Sequence, residues 1–226
     1  MLSTGIEGLD NLLVGGVPEG HIVSVIGTFG TGKTILGIHF LYEGLKNGEN
    51  CLFLSFDEDE ESIIENSKSI GMDLTEFGDK AQTLKLEAAD VKQSIEKLES
   101  ELPSMLEGTN TTRVVVDTVS ALERLCDDIT RYQTLSLLRD VLKSGKITAL
   151  ITSEADKYYL RSSRYGILEY ICDGSIFLRL IRSSEFEEPN LALEVIKMRR
   201  IGHSRETKPY TITGKGIVVH EEAGIF

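Results

Sequence analysis

The sequence predicts an α/β fold: a mostly parallel twisted sheet with helices on both faces and an antiparallel extension at its C-terminal end. Three observations point there. Strand and helix patterns alternate along the chain up to Thr152. The stretch Gly27-Thr28-Phe29-Gly30-Thr31-Gly32-Lys33-Thr34 meets every fixed position of G-x-x-x-x-G-K-[ST], between a strand pattern and a helix pattern. Beyond Thr152 the strand patterns from Ser175 onward follow one another with no helix between them.

Each element has a local reason. Residues 21–26 are apolar and β-branched, as in a buried strand, and residues 34–41 open a helix. Residues 51–56 form a second apolar run, followed by a helix over 60–70 that stops at Gly71. A third strand fits 83–86. Apolar residues at 91, 95, 98 and 102 mark a one-sided helix whose charges face solvent. Val114, Val115 and Val116 lead to Asp117 in a fourth strand, then a helix over 131–143 and a strand over 147–152. Residues 175–180, 191–199, 210–213 and 216–219 supply the extension.

The glycine-rich loop carries the first functional expectation, a bound nucleoside triphosphate. Gly27, Gly30 and Gly32 let the main chain approach phosphates, so that the N–H groups of Thr28, Phe29, Thr31 and their neighbours face the anion at a helix N-terminus. Lys33 reaches the β- and γ-phosphates, and the Thr34 hydroxyl is a ligand for Mg²⁺. Hydrolysis needs two further groups. Asp117, at the end of an apolar strand, is the expected second Mg²⁺ acid, with capping of the next segment as the structural alternative. Of the run Asp57-Glu58-Asp59-Glu60-Glu61, the last three suit a helix's first turn, whereas Glu58, with Asp57 as the alternative, is placed to orient the attacking water.

Composition narrows the classes. A chain of 226 residues with 41% hydrophobic content and 4 prolines predicts one compact domain over 1–226. Its net charge of −12 opposes general attraction to DNA or anionic lipid. No stretch resembles a membrane span or signal peptide, and three scattered cysteines suggest neither disulfides nor a metal site, so a cytoplasmic protein is expected.

The chain resembles the KaiC-like ATPases of the RecA superfamily over nearly its whole length. Ser3-Thr4-Gly5-Ile6-Glu7-Gly8-Leu9-Asp10 and Gly15-Gly16-Val17-Pro18-Glu19-Gly20 match the family's opening, Phe56-Asp57-Glu58 its acidic pair, and Lys197-Met198-Arg199-Arg200-Ile201-Gly202-His203-Ser204 its K-M-R-x-x-x-H-S segment. The resemblance implies a RecA-like fold, a homo-oligomeric ring, expected to be a hexamer, and Lys197 and Arg199 reaching the γ-phosphate on a neighbouring subunit. Residues 197 and 199 of a strand share one face, which suits a common anion; a soluble basic edge strand is the structural alternative. The adjacent Ser-Thr pair that KaiC phosphorylates aligns with Glu169-Tyr170, which argues against the same autokinase timing. Val14 replaces a glycine of many relatives, with little consequence expected.

Weaker signals complete the list. Ser153-Glu154 follows a strand at the position of a γ-phosphate sensor in the RecA-like proteins. Residues 157–165 interleave bases with aromatics, as a single-strand-binding loop does, although an ordinary subunit-contact loop fits the acidic chain better. The favoured expectation is an ATPase coupled to a regulatory protein partner. A RecA-like DNA-repair protein and a non-hydrolysing ATP-dependent scaffold are the alternatives.

Overall fold

A computed structural model describes residues 1–182 and 189–223. Among these residues nine strands form one sheet: β1 (Ile22–Gly27), β2 (Asn50–Ser55), β3 (Ala81–Lys85), β4 (Thr111–Asp117), β5 (Thr148–Glu154), β6 (Gly174–Ile181), β7 (Asn190–Met198), β8 (Thr207–Thr213) and β9 (Gly216–Val219). Their order is β3-β2-β4-β5-β1-β6-β7-β8-β9. The pairs from β3 to β6 are parallel, and those from β6 to β9 antiparallel. This is the expected α/β architecture with its antiparallel extension.

Among the described residues, seven α-helices accompany the sheet: α1 (Glu7–Leu12), α2 (Lys33–Lys46), α3 (Glu60–Ser69), α4 (Val91–Gly108), α5 (Val119–Glu123), α6 (Asp128–Ser144) and α7 (Leu168–Ile171). Alternate strand residues bury into two layers. Val25 and Val115 pack with Leu36 and Phe40 of α2, whereas Val114 and Val116 pack with Leu98 of α4 and Leu138 of α6. The near-continuous apolar runs of β1, β4 and β5 therefore reflect burial on both faces.

Several boundaries differ from the sequence expectation. The helix expected to stop at 102 runs through Pro103 to Gly108, because Leu98, Leu102 and Leu106 continue one buried stripe whose packing offsets the lost backbone bond. Helix α6 starts at 128, where the Asp127 side chain accepts from the Thr130 N–H at 2.8 Å. The short helices α1, α5 and α7 have too few residues to show a period. Strand β7 ends at Met198, so Arg199 lies just past the strand and not within it.

Val14 is a correction as well. The Gly15 N–H donates to the Asp10 carbonyl and the Val14 N–H to the Asn11 carbonyl, a Schellman closure of α1. Its left-handed residue is Val14 at φ 57°, a conformation that crowds a β-branched side chain.

Candidate functional site

The phosphate-binding loop joins β1 to α2 at the carboxyl edge of the parallel strands. A Cβ on Gly27 would come within 2.6 Å of the Thr31 hydroxyl and 2.8 Å of the Leu178 carbonyl, so only glycine fits there. Gly32 is the N-cap of α2 with φ 81°, and no side chain caps the helix, which leaves its first-turn N–H groups directed at the loop. Thr31 is buried and braces the turn, its hydroxyl donating to the Thr28 carbonyl at 2.7 Å. Tyr210 of β8 donates to the Thr31 carbonyl at 2.6 Å. Phe29 and Gly30 form the outer rim, with Phe29 fully in solvent.

Lys33 folds back over the loop, its ammonium donating to the Gly27 and Thr28 carbonyls at 3.0 and 2.9 Å. Burial pushes its pKa down, against the attraction of Asp117 and Glu154. These two carbonyls hold the ammonium against the loop. The Thr34 hydroxyl donates to Asp117 Oδ2 at 2.7 Å, and the Thr152 hydroxyl donates to Asp117 Oδ1. Asp117 is buried, and that burial raises its pKa despite both hydroxyls and Lys33. Thr152 follows Ile151 as Asp117 follows its register partner Val116, and it carried no motif in the sequence.

The acids after β2 approach the same edge. Ser55 pairs in register with Asp117, and its hydroxyl accepts from the N–H groups of Asp57 and Glu58 at 3.2 and 2.9 Å. Asp57 is exposed. Glu58 is half-buried and accepts from Asn66 at 2.7 Å. Burial and then Asp117 raise the Glu58 pKa, against that hydrogen bond. Asp59 caps α3 through Ser62, a structural role in keeping with its sequence reading.

Glu154, opposite Gly27 in register, is paired with Arg124 at 2.5 Å and with Arg164. The Ser153 hydroxyl contacts that of Ser120 at 3.1 Å. A cleft of about 480 Å³ runs from Thr28 and Phe29 to Tyr158 and Tyr165. Of the three bases in 157–165, Arg161 pairs with Glu194 and Arg164 with Glu154, so acids of this chain already engage both arginines.

Lys197 and Arg199 are not brought to this edge. Lys197 is level with Ser175, which is level with Ser24, three residues and roughly 10 Å down the strands from Gly27. Its ammonium donates to the Glu169 and Cys172 carbonyls at 2.7 and 2.8 Å, and the Arg199 guanidinium donates to the Tyr170 carbonyl at 3.3 Å. Both cations bond carbonyls at α7, at the opposite edge of the sheet. Burial, then Arg199, lowers the Lys197 pKa.

Comparison with known proteins places this arrangement. A family model described as "ATPase: KaiC" matches residues 2–224. The chain belongs to the KaiC ATPase family. It is 33% identical over 225 residues to the circadian clock oscillator protein KaiC of Parathermosynechococcus lividus, covering 95% of this chain and 41% of that protein. It is 31% identical to the KaiC of Synechococcus elongatus, covering 96% and 43%. The chain therefore spans about two fifths of the length of these curated relatives. A solved structure, the KaiC-like protein PH0186 from Pyrococcus horikoshii OT3, superposes with a TM-score of 0.85 at 28% identity, covering 97% of this chain and 98% of that one. The RecA-like fold of this KaiC-family domain is thus shared along nearly its whole length. Among the described residues, no helix is long and apolar enough to cross a membrane.

Proposed function

We propose that the chain hydrolyses Mg-ATP at contacts between copies of itself, and that nucleotide state controls binding of a regulatory protein partner. The observation that carries the reading is the 2.7 Å bond from Thr34 to Asp117 directly beneath the loop that holds Lys33. It joins a hydroxyl and a carboxylate into a hard-oxygen pair of the kind Mg²⁺ takes, leaving room for phosphate oxygens and water. When bound, Mg²⁺ neutralises charge on the β- and γ-phosphates. Thr34 and Asp117 hold that position, and the first-turn N–H groups of α2 with Lys33 hold the triphosphate.

Glu58 is the residue assigned to the attacking water. Its pKa, raised by burial, suits a carboxylate that orients and accepts a proton. Asp57 is more exposed and is assigned no proton transfer. Lys197 and Arg199, held at the far edge, act on the nucleotide of a neighbouring copy, a head-to-tail contact that a hexameric ring repeats around its axis. The ion-paired arginines of residues 157–165 favour subunit contact over binding of single-stranded DNA.

The test is phosphate release by wild type, Lys33→Ala, Glu58→Gln and Arg199→Ala, with light scattering in ATP, ADP and no nucleotide. All three variants are expected to lose turnover. Binding of ATP without any release by the wild type would replace the hydrolase with a scaffold, and an Arg199→Ala variant at wild-type rate would remove the action between copies.

A further inference from the structure

The turn that carries Arg199 is held from β1 by a residue with no assigned role. Arg199 is the first residue past β7, and both of its backbone groups are bonded. Its N–H donates to the Asp173 carbonyl at 2.9 Å, and its carbonyl faces His21 Nε2 at 3.1 Å. Nδ1 also faces a carbonyl, that of Glu19 at 3.4 Å; the neutral ring has one N–H, and it is assigned to Nε2, whose contact is the shorter. Arg200, next in the chain, has φ 68°, a left-handed conformation that a long side chain adopts only with support. The peptide plane between them is the one His21 bonds.

His21 is itself held firmly. It is 5% exposed, its N–H donates to the Pro18 carbonyl at 3.1 Å, and its carbonyl accepts from the Ala149 N–H at 2.9 Å. Asp173, on the other side of the turn, accepts from the Ile22 N–H at 3.0 Å and from Lys143, whose ammonium also donates to the Gly20 carbonyl at 2.6 Å. Burial opposes the Asp173 charge, but Lys143 and the Ile22 N–H outweigh it and hold the carboxyl below the usual range. The start of β1, the start of β6 and the end of α6 therefore form a rigid seat for the Arg199 turn.

We infer that His21 is a positioning residue for Arg199: by donating to the Arg199 carbonyl it fixes the left-handed turn that sets the guanidinium, beside Lys197, at α7 on the far edge of the sheet from this chain's own loop. The inference rests on the proposed action of Arg199 on a neighbouring copy's nucleotide. A displaced catalytic group loses rate steeply with distance, so one hydrogen bond at the base of the turn has a large effect on turnover.

The experiment compares steady-state phosphate release by wild type, Arg199→Ala, His21→Leu, His21→Gln and the double variant His21→Leu/Arg199→Ala, with fluorescent ATP-analogue binding on each. His21→Leu is expected to lose roughly tenfold in kcat with KM and analogue affinity unchanged, because the phosphate loop lies at the opposite edge. The glutamine amide reaches the place of Nε2, so His21→Gln is expected to stay within about twofold of wild type. The double variant is expected to be no slower than Arg199→Ala alone.

Wild-type turnover in His21→Leu beside a slow Arg199→Ala would overturn the inference while leaving the proposed function standing, and so would losses that multiply in the double variant. Wild-type turnover in Arg199→Ala would remove the reading beneath it. If His21→Leu does not fold, His21→Asn decides: its amide reaches only the place of Nδ1, so it must be slow where His21→Gln is fast, and equal rates would refute the positioning role.

Discussion

Replacing Asp117 by Asn separates the site's chemistry from its folding. The carboxylate is 7% exposed, accepts from Thr34 at 2.7 Å and from Thr152, and has its pKa raised mainly by burial. An asparagine of the same shape keeps an oxygen for Thr152, and the Thr34 hydroxyl can rotate to accept from the new amide. Both hydrogen bonds survive, while a buried negative charge near Asp57 and Glu58 disappears. Without nucleotide the variant is therefore expected to match wild type or exceed it by up to about 2 kcal/mol. For a chain of this size that is a rise of roughly 4–8 °C in Tm. With Mg-ATP the order reverses. Ligand at a hundred times its Kd stabilises a protein by about 2.7 kcal/mol, and the variant should lose most of that increment along with roughly 10²–10³-fold of phosphate release. The assays are thermal unfolding with and without Mg-ATP and phosphate release. Destabilisation beyond about 3 kcal/mol without nucleotide, together with an intact Mg-ATP increment, would show that the carboxylate serves the fold and not the metal.

Other perturbations test the framework. Val14→Gly, by relieving the left-handed β-branched residue that closes α1, is expected to stabilise by about 1 kcal/mol in urea unfolding after glycine's entropy is counted; a loss would show that the turn is unstrained. Arg113 is 1% exposed, forks onto Glu49 at 2.7 and 2.8 Å and donates to the Ser3 and Phe40 carbonyls, so Arg113→Ala should cost about 3–5 kcal/mol by the same measurement. Burial pushes the Glu123 pKa up to about 7, so its contribution is full below pH 4.5 and is lost as pH rises through 7. The stability of Glu123→Gln relative to wild type should accordingly rise by about 3 kcal/mol between pH 4.5 and 8. Burial pulls His39 down to about 4, which gives the opposite sign: relative to wild type, His39→Gln should gain about 3 kcal/mol as pH falls from 6.5 to 4. A flat difference for either variant would refute that assignment.

Much of the site was legible because it is local. The loop from Gly27 to Thr34 lies in one turn, and its glycines and lysine are fixed by the demands of a backbone that wraps an anion. Asp117 was readable from the apolar strand before it, and Glu58 from its distance past β2. What lay out of view involves distant partners: Thr152 on Asp117, Tyr210 beneath Thr31, Asn66 on Glu58 and His21 on the Arg199 carbonyl. None of these side chains has a spacing that marks it. Val14 was misjudged for the same reason, since backbone handedness at a helix end depends on how the following chain returns to Val17 and Leu2.

By itself the sequence determined the element types, the alternation that makes a parallel sheet, and the chemistry of the phosphate loop, because period and short-range sterics are written residue by residue. Only the tertiary structure decided which edge each group occupies. Strand β7 runs antiparallel to β6, so the motif at its C-terminal end arrives at the edge opposite the loop. That reversal of direction, invisible in the spacing of Lys197 and Arg199, parts the two halves of the proposed catalyst within one chain.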